Sequence, residues 1–340
     1  MPLKVVFRCD AGPDYGLGRL SRCLGLAHAL TEGGAEVSLL VHGGGESMAL
    51  AAGYETIALG ESDGPAHLDL LTEHARGAEL VVIDAREIGG VGLARAKRAL
   101  AGARLIVVDD TAGRFVSAHA LVDPSVSAYR RAHEVSLECK LLLGAEFAPI
   151  RPDVLNAPAN ADGTPRVVVS LGAGPDDGQT RRVVRLLNRL DGEFAITAVV
   201  GPGFSDDGEL DRRADQGTHG VEIVRAPDQV GPLYSGAMLG VCAGGVTATE
   251  FAFLGVPAAY LALNARGAED AEALERDGAG LFLGQARDVN DDRVLAGLEH
   301  LMSSRGARDA MTQSARALVD GEGAKRILSK LTKYGLAAAI

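Results

Sequence analysis

Between Arg8 and Arg22 the chain reads Arg-Cys-Asp-Ala-Gly-Pro-Asp-Tyr-Gly-Leu-Gly-Arg-Leu-Ser-Arg. An apolar run (Val5-Val6-Phe7) precedes this stretch, and an apolar helical pattern from Cys23 to Leu30 follows it. The spacing predicts a glycine-rich loop that opens a helix at the edge of a sheet. The first N–H groups of such a helix lack partners and carry partial positive charge, which suits a phosphate or a sugar pyrophosphate. Gly16 and Gly18 would let a ligand approach the backbone, and Arg19 and Arg22 add charge. The same pattern also describes an ordinary strand–turn–helix junction that holds nothing. Three carboxylates, Asp10, Asp14 and Asp84, fall at strand ends or in this loop. Each becomes a base if partial burial raises its pKa toward neutrality, and each is otherwise a turn carboxylate bonded to nearby N–H groups. Asp109-Asp110 would either share a proton or cap a turn, and Tyr15 would either touch a sugar or stand in solvent. Among the histidines only His42, beside Gly43–Gly45, is a spare candidate, and a surface position is its simpler reading.

Further along, Ser170-Leu-Gly-Ala-Gly-Pro-Asp-Asp177 ends one strand and precedes a helix, so Gly172 and Gly174 would line a site or simply make a turn. The run Ala243-Gly-Gly-Val-Thr-Ala-Thr-Glu-Phe-Ala-Phe-Leu-Gly-Val-Pro257 is sharper. Gly244 and Gly245 end a buried strand, Thr247 is placed at a helix start and Glu250 in its first turn. Exposed N–H groups with the hydroxyl could hold a diphosphate, and the carboxylate could accept both hydroxyl protons of a ribose. The alternative is a capping box, with Thr247 as N-cap and Glu250 as its reciprocal partner.

Alternating strands and helices must position these groups. In the first half, strands are expected at 4–8, 36–41, 55–58, 80–84, 104–108 and 120–122, with helices at 20–32, 68–75 and 91–101. The second series has strands at 166–171, 196–201, 221–224, 238–242 and 258–261. Its helices fall at 179–190, 209–215, 229–235, 247–254, 269–277, 293–302 and 310–319, and one more is expected at 324–331. Continuous apolar strands between amphipathic helices mean parallel sheets covered on both faces. The fold class is therefore α/β and GT-B-like: two doubly wound, Rossmann-like domains facing a cleft, with a ligand outside the carboxyl ends of the strands. The expected divisions are 1–147, a Pro/Asn/Asp-rich linker at 148–164, a nucleotide-binding domain at 165–320, and a helix within 321–340 that packs back on the first domain.

At 340 residues the chain is long for one core. A net charge of −11 argues against nucleic acid bound through a broad basic surface, and no apolar run is long enough to insert in a membrane. Four scattered cysteines without metal spacing, and no secretory segment, lead to the expectation of a reduced, cytoplasmic protein.

The chain resembles the UDP-sugar hydrolase of the pseudaminic-acid pathway and its spore-coat polysaccharide relatives. Those proteins share the GT-B fold with the lipid II-forming GlcNAc transferase. The matching stretches are Phe7-Arg-Cys-Asp10, Gly16-x-Gly-x-x-x-Arg22-Cys-Leu24, Leu80-Val-Val-Ile-Asp84, Val107-Val-Asp-Asp110, Leu142-Leu-Gly-Ala-Glu-Phe-Ala-Pro-Ile-Arg-Pro152, Val200-Gly-Pro-Gly203 and the glycine–threonine–glutamate block. They run from residue 4 to about residue 285. The resemblance implies a UDP-sugar substrate, with uridine on the second domain, Thr247 at the diphosphate, Glu250 at the ribose, and neither metal nor cofactor. It also implies an acid at Asp10, which makes Asp10 the first choice of catalytic base.

The chain departs from this pattern at three places. The histidine that follows the second loop glycine in those hydrolases, their proposed base, is Arg19 here. Arginine stays protonated and takes no proton from water, but it can neutralise a departing diphosphate. The usual tyrosine after strand 80–84 is absent from Ala85-Arg86-Glu87, and the usual Asn-Gln pair reads Asn264-Ala265-Arg266-Gly267, which leaves Asn264 as a sugar contact. Two classes follow: a UDP-sugar hydrolase of nonulosonic-acid or surface-glycan synthesis, or a glycosyltransferase with a glycan, lipid or protein acceptor. A nucleotide-sugar-binding protein without activity is the third.

Overall fold

Runs of Val, Leu and Ile four to seven residues long set the framework, because such side chains suit strands buried on both faces. A computed structural model describes residues 2–60, 64–158, 163, 165–206 and 208–337. It divides into two compact units, Met1–Pro152 with Gly321–Ile340, and Asp153–Asp320.

The first unit runs β1 (Lys4–Asp10), α1 (Gly18–Glu32), β2 (Glu36–His42), α2 (Glu46–Ala51), β3 (Glu55–Leu59), α3 (Gly64–His74), β4 (Leu80–Asp84), α4 (Gly90–Ala99), β5 (Arg104–Val108), β6 (Ala120–Asp123) and β7 (Lys140–Leu143). Its strands are all parallel, in the order β3-β2-β1-β4-β5-β6-β7. Alternate residues of β1 feed two cores: Val5, Phe7 and Cys9 pack with α1, and Val6 packs with Leu68 and Leu71 of α3 and Leu93 of α4. Strand order reverses between β1 and β4, the place where a doubly wound sheet leaves a crevice at its carboxyl edge. Register sets Asp10 opposite His42 and Cys9 opposite Asp84, so three polar side chains stand together on that edge.

The second unit runs α5 (Pro152–Leu155), β8 (Arg166–Ser170), α6 (Gln179–Leu187), β9 (Ala195–Val200), α7 (Glu209–Gln216), β10 (Val221–Arg225), α8 (Gly231–Tyr234), β11 (Leu239–Cys242), α9 (Gly245–Leu254), β12 (Ala258–Ala262), α10 (Ala265–Arg276), β13 (Leu281–Gln285), α11 (Asp291–Ser303) and α12 (Arg305–Leu318). Its sheet is also parallel, ordered β10-β9-β8-β11-β12-β13, and it reverses between β8 and β11. The chain then returns to the first unit as α13 (Gly323–Lys333), whose Ile327, Leu328 and Leu331 join the core beside α1. A Cβ at Gly323 would meet Ala148 O at 2.2 Å, so only glycine admits this approach.

Both domains are thus doubly wound parallel α/β units. Several elements depart from the sequence reading. Strands β7 and β13 and helix α2 were not expected, and α5 begins inside the expected linker, of which residues 159–162 and 164 lie outside those described. Helix α12 starts at Arg305 rather than 310, because Ser304 Oγ accepts from Ala307 N and caps it. Among the described residues no helix is long and apolar enough to cross a membrane. All four cysteines are free and buried.

Candidate functional site

At the carboxyl edge of the first sheet Asp10 is completely buried. Arg8 Nη1 donates to its Oδ1 at 2.7 Å, and the Arg86 N–H donates to its Oδ2 at 2.8 Å. With both oxygens engaged and no surface exposed, Asp10, the base that the sequence reading prefers, is an anchor for the loop after β4 rather than a free carboxylate. Arg22 also differs from its expected role. Its Nε and Nη2 donate to the two oxygens of Asp84 at 2.5 and 2.8 Å, and its Nη1 donates to Asp110 at 2.8 Å. Three of its five N–H donors are thus taken by carboxylates. Burial pushes the Asp84 carboxyl up, against Arg22 and Arg19, which pull it down. Since both Asp84 oxygens are bonded to Arg22, Asp84 is not a free base either.

Arg19 is the more open guanidinium. Its side chain is 15% exposed, its Nε lies 3.8 Å from Asp84, and its Nη1 is 3.4 Å from Tyr15 O. Helix α1 begins at Gly18 with no side-chain cap from Leu17, and Arg19 is its second residue. Gly16 adopts φ +71°, with open space where a side chain would be. Asp14 is exposed, and no partner is seen for its carboxylate among the described residues. Of the three carboxylates considered as bases, it alone keeps free oxygens.

His42 is buried, contrary to the surface reading. Its ring packs at 5.3 Å from Tyr15 and 4.6 Å from His67. Tyr15 in turn donates its hydroxyl to Glu87 Oε1, a bond that with burial pushes the phenol up to about 12. Asp109 and Asp110 share no proton: Asp109 accepts from Thr111 and Arg114, and Asp110 from Arg22. The sequence reading missed Asp123, which ends β6 and accepts from Ser125, Arg131 and His133. Its signal was present, since Asp10, Asp84 and Asp123 each close an apolar strand.

In the second unit two helix starts flank the switch point. Gly172 is exposed at φ +117°, and Gly174 is partly buried in the same loop. Asp176 then accepts from Gly178 N and Thr180 N at 2.9 and 2.8 Å, so the start of α6 is neutralised by its own loop. Helix α9 has no such cap. Gly244, at φ +95°, is its N-cap, and Gly245 is its first residue. Thr247 and Glu250 are consequently the third and sixth helical residues, and the capping box does not form. The Thr247 hydroxyl is partly exposed with no partner seen among the described residues, and Glu250 is buried one turn on. A Cβ at Gly244 would meet Gly267 O at 2.8 Å. Asn264 is the exposed N-cap of α10, its Oδ1 accepting from Gly267 N at 2.9 Å.

No protein-family model matches the sequence, and no curated protein does. Solved structures do match its fold. The spinosyn forosaminyltransferase SpnP aligns at 20% identity and a TM-score of 0.68, covering 98% of this chain and 100% of that one. MurG of Acinetobacter baumannii aligns at 17% and 0.66 with the same coverage. A Listeria monocytogenes protein provisionally assigned as a UDP-N-acetylglucosamine 2-epimerase aligns at 14% and 0.66, covering 100% and 98%. At these identities the likeness speaks for architecture, and end to end that architecture is the GT-B fold.

Proposed function

We propose that the chain is a GT-B enzyme that transfers a sugar from a UDP-sugar donor to an acceptor hydroxyl. The observation that carries this reading is the start of α9. Uncapped N–H groups, a free Thr247 hydroxyl and a carboxylate one turn further on stand at the switch point of the second sheet. The amides and Thr247 would hold the diphosphate, and Glu250 the ribose hydroxyls. Gly172 and Gly174 would border the nucleotide, and Gly16, Gly18 and Arg19 the sugar side.

In the reaction the acceptor oxygen bonds to the anomeric carbon as the bond from that carbon to the diphosphate oxygen breaks. The electron pair leaves with UDP. Arg19 stabilises the charge that develops there, and the acceptor's proton passes to solvent. Transferases among the fold neighbours favour this reading over hydrolysis. The hydrolase keeps its place as second reading because the sequence motifs resemble that family, and water would then replace the acceptor. A UDP-activated acetamido sugar in nonulosonic-acid or surface-glycan synthesis is the substrate class these motifs suggest. A glycan, lipid or protein would be the acceptor, and free cysteines fit a cytoplasmic setting.

Calorimetric titration with UDP should show one site, weakened at least about tenfold by Thr247→Ala. Incubation with a panel of UDP-sugars, with and without extracted glycan and lipid acceptors, then separates the two readings. UDP release that needs acceptor supports transfer, and release in its absence supports hydrolysis. No UDP binding at all would overturn both.

A further inference from the structure

We infer that His42, His67 and Glu87 form a binding site for one divalent transition-metal ion at the carboxyl edge of the first sheet. One ligand atom from each of the three lies within 4.8 Å of the others. His42 Nδ1 is buried and makes no hydrogen bond. It nevertheless faces acceptors: Glu87 Oε2 at 3.4 Å and Asp10 Oδ1 at 3.7 Å. Such a convergence of lone pairs needs a cation or a proton between them. Two ligands about 2.0–2.1 Å from a tetrahedral zinc ion stand about 3.3–3.5 Å apart, so the His42–Glu87 separation already matches one edge of the polyhedron. The widest pair of the three needs to close by at most about 1.4 Å. Glu87 is 38% exposed in a loop and can supply that movement.

The far side of each outer ligand is held in the way metal ligands commonly are. His67 Nε2 lies 3.0 Å from Gly60 O; as the N–H donor in that contact it leaves Nδ1 unprotonated. Glu87 Oε1 accepts from Tyr15, which leaves Oε2 turned to His42. Arg8 is the opposing feature, its Nη2 standing 3.4 Å from His67 Nδ1. That contact is long, Nη1 is fixed on Asp10, and Asp10 and Glu87 together supply two negative charges against the guanidinium. An ion would replace this contact on His67 and gain the two other ligands. Two imidazoles and one carboxylate select Zn²⁺, Co²⁺ or Fe²⁺ over Mg²⁺ or Ca²⁺. Three protein ligands leave a fourth position for water or an oxygen of a ligand.

The test needs no enzyme activity and so stands or falls apart from the proposed function. Chelator-treated full-length protein is titrated with Zn²⁺ by calorimetry and with Co²⁺ by visible absorption. The expected result is one equivalent bound at about 1 μM or tighter, with the intense absorption of a tetrahedral nitrogen–oxygen Co²⁺ site. Glu87→Gln, a partly exposed position, should weaken binding at least about tenfold, and Tyr15→Phe about tenfold or more through the lost support. His28→Gln, at a histidine beside Glu32 elsewhere, should change nothing. Failure to bind, or weak binding at several sites that Glu87→Gln leaves unaltered, would overturn the inference; a proton alone would then satisfy the cluster.

Discussion

Arg22 on α1 grips Asp84 at the end of β4 through two parallel hydrogen bonds, and a third from the same guanidinium reaches Asp110 beyond β5. Burial, the largest influence on Arg22, lowers its pKa, but Asp110 and Asp84 together raise it well above the ordinary value. One side chain thus ties a helix to two strand ends at the switch point. Arg22→Met should cost about 3–5 kcal/mol, because it leaves a buried carboxylate without its partner. Urea unfolding reads this directly, and a loss under about 1 kcal/mol would contradict the arrangement.

Acid should weaken the first unit through Asp109 and Asp123. Burial is the largest influence on both and pushes them up. Arg114 and Thr111 outweigh it at Asp109, and His133, Ser125 and Arg131 outweigh it at Asp123. Each is therefore held below the ordinary carboxylate range when folded. The stability they confer is complete above the unfolded value of about 3.9 and is lost as pH falls through the lower folded values. Asp123→Asn should be less stable by about 2–4 kcal/mol at pH 7, and the gap should narrow by about pH 3. Unfolding midpoints at both pH values give the comparison.

Replacing Arg19 by Met should lower kcat about 10²–10³-fold while UDP affinity falls less than about tenfold, if the guanidinium acts mainly on developing charge. An equal loss in both would make it a simple binding group. Steady-state kinetics with calorimetry distinguish these outcomes.

Gly244→Ala should destabilise the second unit by about 1–3 kcal/mol, since its φ of +95° suits only glycine and Gly267 O blocks a side chain. It should also weaken UDP binding by displacing the first amides of α9. Thermal unfolding without ligand checks the first effect.

The thiols should be inert. Burial pushes Cys242 up to about 12 and Cys139 up to about 11, and Cys23, hydrogen-bonded to Cys9, is also raised. A thiol reagent at pH 8 should label none of the four in the native protein and all of them in urea.

The parallel sheets were legible because Val- and Leu-rich runs such as Leu80–Asp84 carry their own signal. Strand β7 was not: Lys140–Leu143 has four residues and no alternation. Strand β13 is broken by Gly284 at φ +131° and by a register shift. The start of α9 was read two residues late, because paired glycines look like loop when one of them is already helical. The spacing of Thr247 and Glu250 from the glycines survives that shift. That Asp10 is tied on both oxygens is not legible in the sequence for a different reason. Its partners, Arg8 and the Arg86 amide, include one 76 residues away, and no local pattern announces such a contact. The same holds for His42, whose neighbours His67 and Glu87 come from separate loops and helices.

The return of α13 to the first unit bears on biogenesis. A ribosome delivers β1 to β7 long before Ile327, Leu328 and Leu331 exist, so one flank of that sheet stays greasy and wet while the intervening module folds. Chaperones would find their target on that flank, and a nonsense codon near position 320 would yield a product whose second module is sound and whose first one aggregates.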